Sequence, residues 1–235
     1  VTIGEIDSFR SASLSVSGRI GADTNSAMSE FKDYRTRAEA GDAIAQFHLE
    51  VMYGKGDDVA QDATAAVRWF RSAADQGEGT AQFVLGFMYE RGIGVPQDAT
   101  AAVRWFRLAA EQGHADAQSN LGFMYAYGRG IEQDATAAVR WHRLAADQGV
   151  ARAQSNLGVA YADGSGVPQD DTEAVRWYRL AADQGVAVAQ YNLGVMHING
   201  FGVPPDAVEA MRWFRLAADQ GEGTAQFVLG FMYER

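Results

Sequence analysis

Apolar residues recur along this chain at helical spacing, in two stripes that alternate. In the stretch 74–109, Ala81, Leu85, Met88 and Tyr89 fall at i, i+4, i+7 and i+8. That spacing puts them on one face of a helix running from about residue 79 to 90. Ala102, Val103, Phe106, Ala109 and Ala110, flanked by Trp105, form a second stripe of the same kind. Between the two lies Gly92-Ile93-Gly94-Val95-Pro96, which cannot continue a helix because proline has no N–H and the glycines favour reversal. Asp98 sits where an N-cap oxygen is wanted, and Gly113 where a left-handed residue closes the second helix. The pattern predicts two helices joined by a glycine turn.

This unit recurs. Trp69, Trp105, Trp141, Trp177 and Trp213 are spaced by 36 residues, and the same shift superposes Leu49, Leu85, Leu121, Leu157, Leu193 and Leu229. Tyr53, Tyr89, Tyr125, Tyr161 and Tyr233 follow it too, with His197 as the exception. A fixed period of this size means a solenoid. The expected architecture is all-α, with five repeats at 38–73, 74–109, 110–145, 146–181 and 182–217. Residues 218–235 form a half-repeat holding a first helix only, residues 26–37 a degenerate amino-terminal capping helix, and residues 1–25 an irregular lead-in.

Several details carry structural expectations. The N-cap aspartate recurs as Asp62, Asp134, Asp170 and Asp206, and Glu173 and Glu209 would complete capping boxes. Gly86, Gly122, Gly158, Gly194 and Gly230 interrupt the first helices, with Glu50 in their place in the first repeat. Each costs about 1 kcal/mol relative to alanine, so close approach of a neighbouring helix backbone is expected there. The repeated tryptophan is expected to be wedged between helices.

The combined pattern of Leu-Gly, Tyr, Gly-x-Gly-Val, Asp, Trp and a closing Ala-Ala-x-Gln-Gly resembles the Sel-one-like repeat family over residues 38–235. Tetratricopeptide repeats are shorter and lack the Gly-x-Gly-Val turn. The resemblance implies a right-handed α-α superhelix, in which first helices line the concave side, serving as an adaptor that holds other proteins.

Charge and composition narrow the field. Net charge is −10, and the Lys and Arg are spread along the helices. No basic stripe exists to follow a phosphate backbone, which argues against nucleic acid. The acidic excess suits solubility or a basic partner. The chain has no cysteine, excluding disulfides and thiolate metal sites. It has no apolar run of about 18 residues, so no membrane span is expected. Val1 in place of methionine fits either a mature product whose signal peptide was removed or a trimmed chain, which leaves the periplasm, secretion and the cytoplasm open.

Candidate function rests on positions the repeat does not dictate. Opposite the first-helix core, a stripe reads Phe83 and Phe87, then Ser119 and Phe123, then Ser155, then Tyr191, with Asn120, Asn156 and Asn192 beside it. Such a stripe suits a peptide-binding groove, while position 87 also reads as packing between successive first helices. The turn tips Asp57, Ile93, Arg129, Ser165 and Phe201 vary freely.

No chemistry emerges elsewhere. The Gly-x-Gly pairs follow helices rather than strands, so they are turns and not phosphate cradles. Ser29-Glu30-Phe31-Lys32 spells S-x-x-K but lacks its companion motifs. His48, His114, His142 and His197 have no metal-ligand spacing. Arg107, Arg143 and Arg179 precede acids by four residues, as expected of a solvated helix face. No catalytic, cofactor-binding or metal-binding residue is expected. The expectation is a non-catalytic scaffold or adaptor binding a protein or peptide partner along a concave helical surface. The alternatives are a binder or weak hydrolase of small ligands such as cell-wall fragments or beta-lactams, and a structural segment of a longer solenoid. Residues 218–235, with Phe227, Leu229 and Met232, also suggest head-to-tail self-association.

Overall fold

The computed structural model describes residues 63–233, without the side chains of 63–66 and 232–233. The lead-in at 1–25, the capping helix at 26–37, the first repeat up to residue 62 and the S-x-x-K motif lie outside the described residues, as does the Met232 side chain. Among the described residues there are ten helices and no strand: α1 (Ala63–Asp75), α2 (Gly79–Arg91), α3 (Ala99–Glu111), α4 (Ala115–Tyr127), α5 (Ala135–Asp147), α6 (Ala151–Asp163), α7 (Asp171–Asp183), α8 (Ala187–Asn199), α9 (Ala207–Asp219) and α10 (Gly223–Tyr233). The chain divides into two units, residues 1–73 and 74–235. Helix α1 carries the first unit to its boundary and buries Val67, Phe70 and Ala73. In the second unit, α2, α4, α6, α8 and α10 are the first helices of successive repeats, and α3, α5, α7 and α9 the second.

Both helix types end where turn chemistry dictates. Gly92, Gly128, Gly164 and Gly200 close the first helices at φ 71°, 64°, 68° and 74°, a left-handed conformation that glycine adopts without a Cβ penalty. Each second helix starts on an aspartate. Asp98 Oδ1 accepts from the N–H groups of Thr100 and Ala101 at 2.9 and 3.0 Å. The expected capping boxes do not form, because the backbone N–H that Glu173 would take is already spent. Asp170 N–H donates to the Tyr161 carbonyl at 3.0 Å, and Asp206 N–H to that of His197 at 2.9 Å, tying the second helix to the end of the first. Glu173 instead accepts from Arg176 and from the Trp177 indole, both at 3.1 Å, and Glu209 pairs with Arg212 at 2.6 Å.

Within a repeat the two helices meet at the mid-helix glycine, but the atoms facing it are a ring and not a backbone. A Cβ on Gly86 would lie 2.7 Å from the Phe106 ring, on Gly122 2.7 Å from His142, on Gly158 2.4 Å from Tyr178, and on Gly194 2.7 Å from Phe214. Real Cβ atoms do not come that close, so the second helix seats its ring directly on the first helix's backbone. Gly230 of α10 faces no atom within 4 Å.

Between repeats, three contacts recur. Trp177 joins the cluster of Val139, Ala145 and Leu157 from α5 and α6, and Trp213 that of Ala174, Tyr178 and Leu193 from α7 and α8. These two indoles are 2 % and 3 % exposed, wedged as expected; Trp105 and Trp141 are half-buried. The second turn glycine sits on the preceding repeat: a Cβ on Gly130 would be 2.3 Å from the Ala99 carbonyl, and on Gly166 2.2 Å from that of Ala135. The third contact is a polar rail. Gln118 donates to the Ala110 carbonyl at 3.1 Å and accepts from Gln148 at 2.7 Å. Gln154 does the same with Ala146 and Gln184, and Gln190 with Ala182 and Gln220. Each glutamine is 4–5 % exposed and satisfies a helix-end carbonyl that has no intrahelical donor.

Trp177→Ala should cost about 3 to 5 kcal/mol, read as a shift in the urea midpoint at unchanged slope; a shift no larger than that of a surface variant would contradict the wedge. His142 yields a pH prediction. Burial, with Arg152 adding to it, lowers its pKa from 6.5 to about 4, and its Nδ1 has no hydrogen-bond partner. Because the unfolded chain takes up the proton first, stability is full above about pH 6.5 and falls as pH drops towards 4. The loss reaches about 3 kcal/mol. Urea midpoints across that range should show this slope in the native chain and lose it in His142→Phe.

Candidate functional site

The positions singled out from sequence fall into two groups once packed. Ser119 and Ser155 are 1 % and 6 % exposed and lie inside the repeat stack, so a partner cannot reach them. Phe83 is half-buried, stacked on His114 with centroids 4.6 Å apart and tilted against Phe106 at 6.0 Å. Tyr191 leans on Phe214 at 5.7 Å. Phe87 is half-buried with Arg91 5.4 Å from its ring centroid. Phe123 is half-buried beside Tyr127, 4.6 Å between centroids, and Arg129 lies 5.7 Å from its ring.

The asparagines follow the ring that each one faces. Asn156 Nδ2 lies 3.4 Å from His142 Nε2, and Asn192 hydrogen-bonds Tyr178, whose phenol pKa burial raises. Where the ring is Phe214, the residue at the asparagine position is Val228. Phe106 offers no polar atom to Asn120, and that amide instead accepts from Arg152 of the next first helix at 2.7 Å, at an exposed location. Asn156 and Asn192 thus satisfy polar rings, while Asn120 belongs to the outer face.

Tyr127 and Arg152, which the sequence reading does not single out, complete this outer face together with the turn-tip residue Arg129. Tyr127 is 68 % exposed, and its position reads Arg91, Tyr127, Asp163 and Asn199 along the chain; that change of chemistry from repeat to repeat is the signal that could have found it. Arg129 also reaches Glu90 of the previous repeat at 3.5 Å, so a turn tip read as free drift bridges two repeats.

The arginines expected to face acids on their own helix reach across the joint instead. Arg107 donates to the Tyr125 hydroxyl at 3.0 Å, Arg143 to that of Tyr161, and Arg179 lies 3.3 Å from His197 Nε2. His114 caps α4 by accepting from Ala117 N–H at 3.3 Å, and burial lowers its pKa. Among the described residues no cluster of His, Asp and Glu could hold a metal ion, and no helix is long and apolar enough to cross a membrane.

Five consecutive copies of the Sel1 repeat match this chain, at residues 43–78, 79–114, 115–150, 151–186 and 187–222. The chain belongs to the Sel1 repeat family. In the family's phase each complete described copy opens on the first residue of a first helix, five residues later than the cut at residue 74. Among solved structures, a protective antigen of uropathogenic Escherichia coli displaying an SLR fold is 41% identical, with a TM-score of 0.82 over 86% of this chain. The match spans 44% of that antigen, less than half its length. A Sel1 repeat protein from Oxalobacter formigenes is 36% identical over 83% of this chain and 81% of its own, with a TM-score of 0.78. An immunity protein from Pseudomonas aeruginosa, 19% identical over 92% of this chain and 82% of its own, shares the fold at a TM-score of 0.54. A search of curated proteins finds no match. Sel1 repeat proteins are generally protein-interaction scaffolds.

The division among the asparagines is testable. Asn156→Ala should cost about 1 to 3 kcal/mol, since it strips the partner from a buried His142 nitrogen. Asn120→Ala should stay within about 0.5 kcal/mol. Equal losses in thermal unfolding would show that both amides serve the fold.

Proposed function

We propose that this chain is a non-catalytic scaffold holding an extended segment of a partner protein along the outer face of its first helices. The observation that carries this reading is the surface around Tyr127. There an aromatic pair, Phe123 and Tyr127, is backed by Arg129 and bordered by Asn120 and Arg152. Aromatic rings and arginines are the residues that concentrate binding energy in protein interfaces. Of the positions read from sequence, Phe83, Phe87, Asn120, Phe123 and Tyr191 are partly exposed and are assigned to this face in our reading, while Asn156 and Asn192 are tied to buried rings. Ser119 and Ser155 support this face from behind. The repeat's own packing does not require Tyr127 to be aromatic, since arginine, aspartate and asparagine take its place elsewhere.

The test begins with affinity capture of a partner from the source cell and proceeds to titration with purified components. Replacing Phe123→Ser and Tyr127→Ser together should weaken binding by about tenfold or more, about 1.4 kcal/mol, with helix content unchanged. Undiminished affinity would remove the partner from this face.

A further inference from the structure

A second surface, on the second helices, is as regular as the first is varied. Leu108, Leu144, Leu180 and Leu216 are 44 %, 45 %, 41 % and 38 % exposed, one per repeat, at the same point of α3, α5, α7 and α9. Four residues before each leucine stands an arginine (Arg104, Arg140, Arg176, Arg212), and three after it an acid (Glu111, Asp147, Asp183, Asp219). Residues at i, i+4 and i+7 share one helix face. Equivalent second helices of successive repeats therefore carry the same three groups, basic, apolar and acidic, which recur in three rows from repeat to repeat. Arg176 and Arg212 pair with glutamates of their own helices, but Arg104, Arg140 and all four acids make no ion pair with a described residue. The neighbouring Arg107, Arg143 and Arg179 are drawn off to the next repeat, leaving the acid row without a counterion. On α5, Val139, Arg140, Arg143 and Leu144 line an open depression of about 430 Å³.

We propose that this face pairs with the same face of a second copy of the chain, the two stacks lying parallel about a twofold axis directed along them. A partner must set an apolar group on each of four leucines at the spacing of the repeat, and a second copy has that spacing. A twofold axis along the stack keeps the repeats in register and exchanges the flanks, so that each arginine row meets an acid row. The antiparallel alternative sets arginine against arginine. Leu144 then meets Leu144 of the other copy, and Arg140 meets its Asp147. Four helices of ~10 Å diameter, each contributing ~10 Å of its length, give roughly 400 Å² per copy. That is about half the standard interface, so the dimer belongs to the weak, concentration-dependent class. It leaves the first-helix face open on both copies, presenting two binding grooves together.

Sedimentation from micromolar to millimolar concentration tests the pairing on the whole chain. The mass should rise towards the dimer, and added salt should lower it. The Leu144→Glu, Leu180→Glu variant should stay monomeric with its helix content intact. Arg140→Asp should weaken the dimer by about tenfold, and adding Asp147→Arg to the same chain should restore it. This charge pair decides the matter even if the leucine variant unfolds. A native chain that stays monomeric throughout, a dimer indifferent to the leucine changes, or one strengthened by Arg140→Asp would overturn the proposal. So would loss of the dimer in Phe227→Ser, which would place association on the exposed end helix α10. The Phe123 and Tyr127 variants should leave this dimer unchanged, so failure here and failure of the groove reading are separable.

Discussion

The second unit is governed by how closely a ring can approach a helix backbone. Gly86, Gly122, Gly158 and Gly194 exist because Phe106, His142, Tyr178 and Phe214 occupy the space where a Cβ would be. The propensity cost of a mid-helix glycine, about 1 kcal/mol, is offset by dispersion contacts that no larger residue would allow. The choice of ring then propagates outward. A histidine or tyrosine brings a polar atom into the joint and is met by Asn156 or Asn192. A phenylalanine needs no such partner, and opposite Phe214 the chain has Val228. Asn120 faces Phe106 and turns instead to Arg152. One buried contact thereby decides which amide turns to the outer surface.

From repeat to repeat the fold depends on polar contacts as much as on apolar ones. The glutamine rail links the second helix of one repeat, the first helix of the next and that repeat's own second helix through one buried side chain. Leaving such a group unsatisfied costs about 1 to 3 kcal/mol, so the rail fixes the register of the stack as well as adding to its stability. It also explains why the end of the second helix is so uniform. Gln112, Gln148, Gln184 and Gln220 each donate to a buried glutamine oxygen.

Much of this was legible in the sequence, and the rest was hidden for a definite reason. Helical period, glycine turns and aspartate caps are local, and α2 spans Gly79–Arg91 where the apolar spacing predicts a helix from about residue 79 to 90. What periodicity cannot show is a partner on another helix, and the missed features are of that kind. The sequence sets Arg107 four residues before an acid on its own helix, but it bonds Tyr125. A mid-helix glycine predicts a backbone contact at Gly122, and it meets the His142 ring. Spacing predicts that Glu173 caps the Asp170 N–H, which the previous helix takes through the Tyr161 carbonyl. One such pairing did leave a trace: the asparagine position turns to valine where the ring 14 residues earlier is Phe214, a correlation readable from copies within one chain.

The two outer faces differ in a way that bears on what each can recognise. A stack whose repeats bury only their nearest-neighbour contacts leaves both faces free of folding demands. On the first helices that freedom appears as variety: Arg91, Tyr127, Asp163 and Asn199 occupy one position in four repeats. A surface that changes every repeat can match only a ligand whose own sequence changes in step, which is what an extended segment of one particular protein presents. On the second helices the leucine, its arginine and its acid recur without change in kind. A periodic surface carries no address for a unique sequence, but it is complementary to another surface of the same period. Variety and constancy are the physical grounds on which we propose different kinds of partner for the two faces.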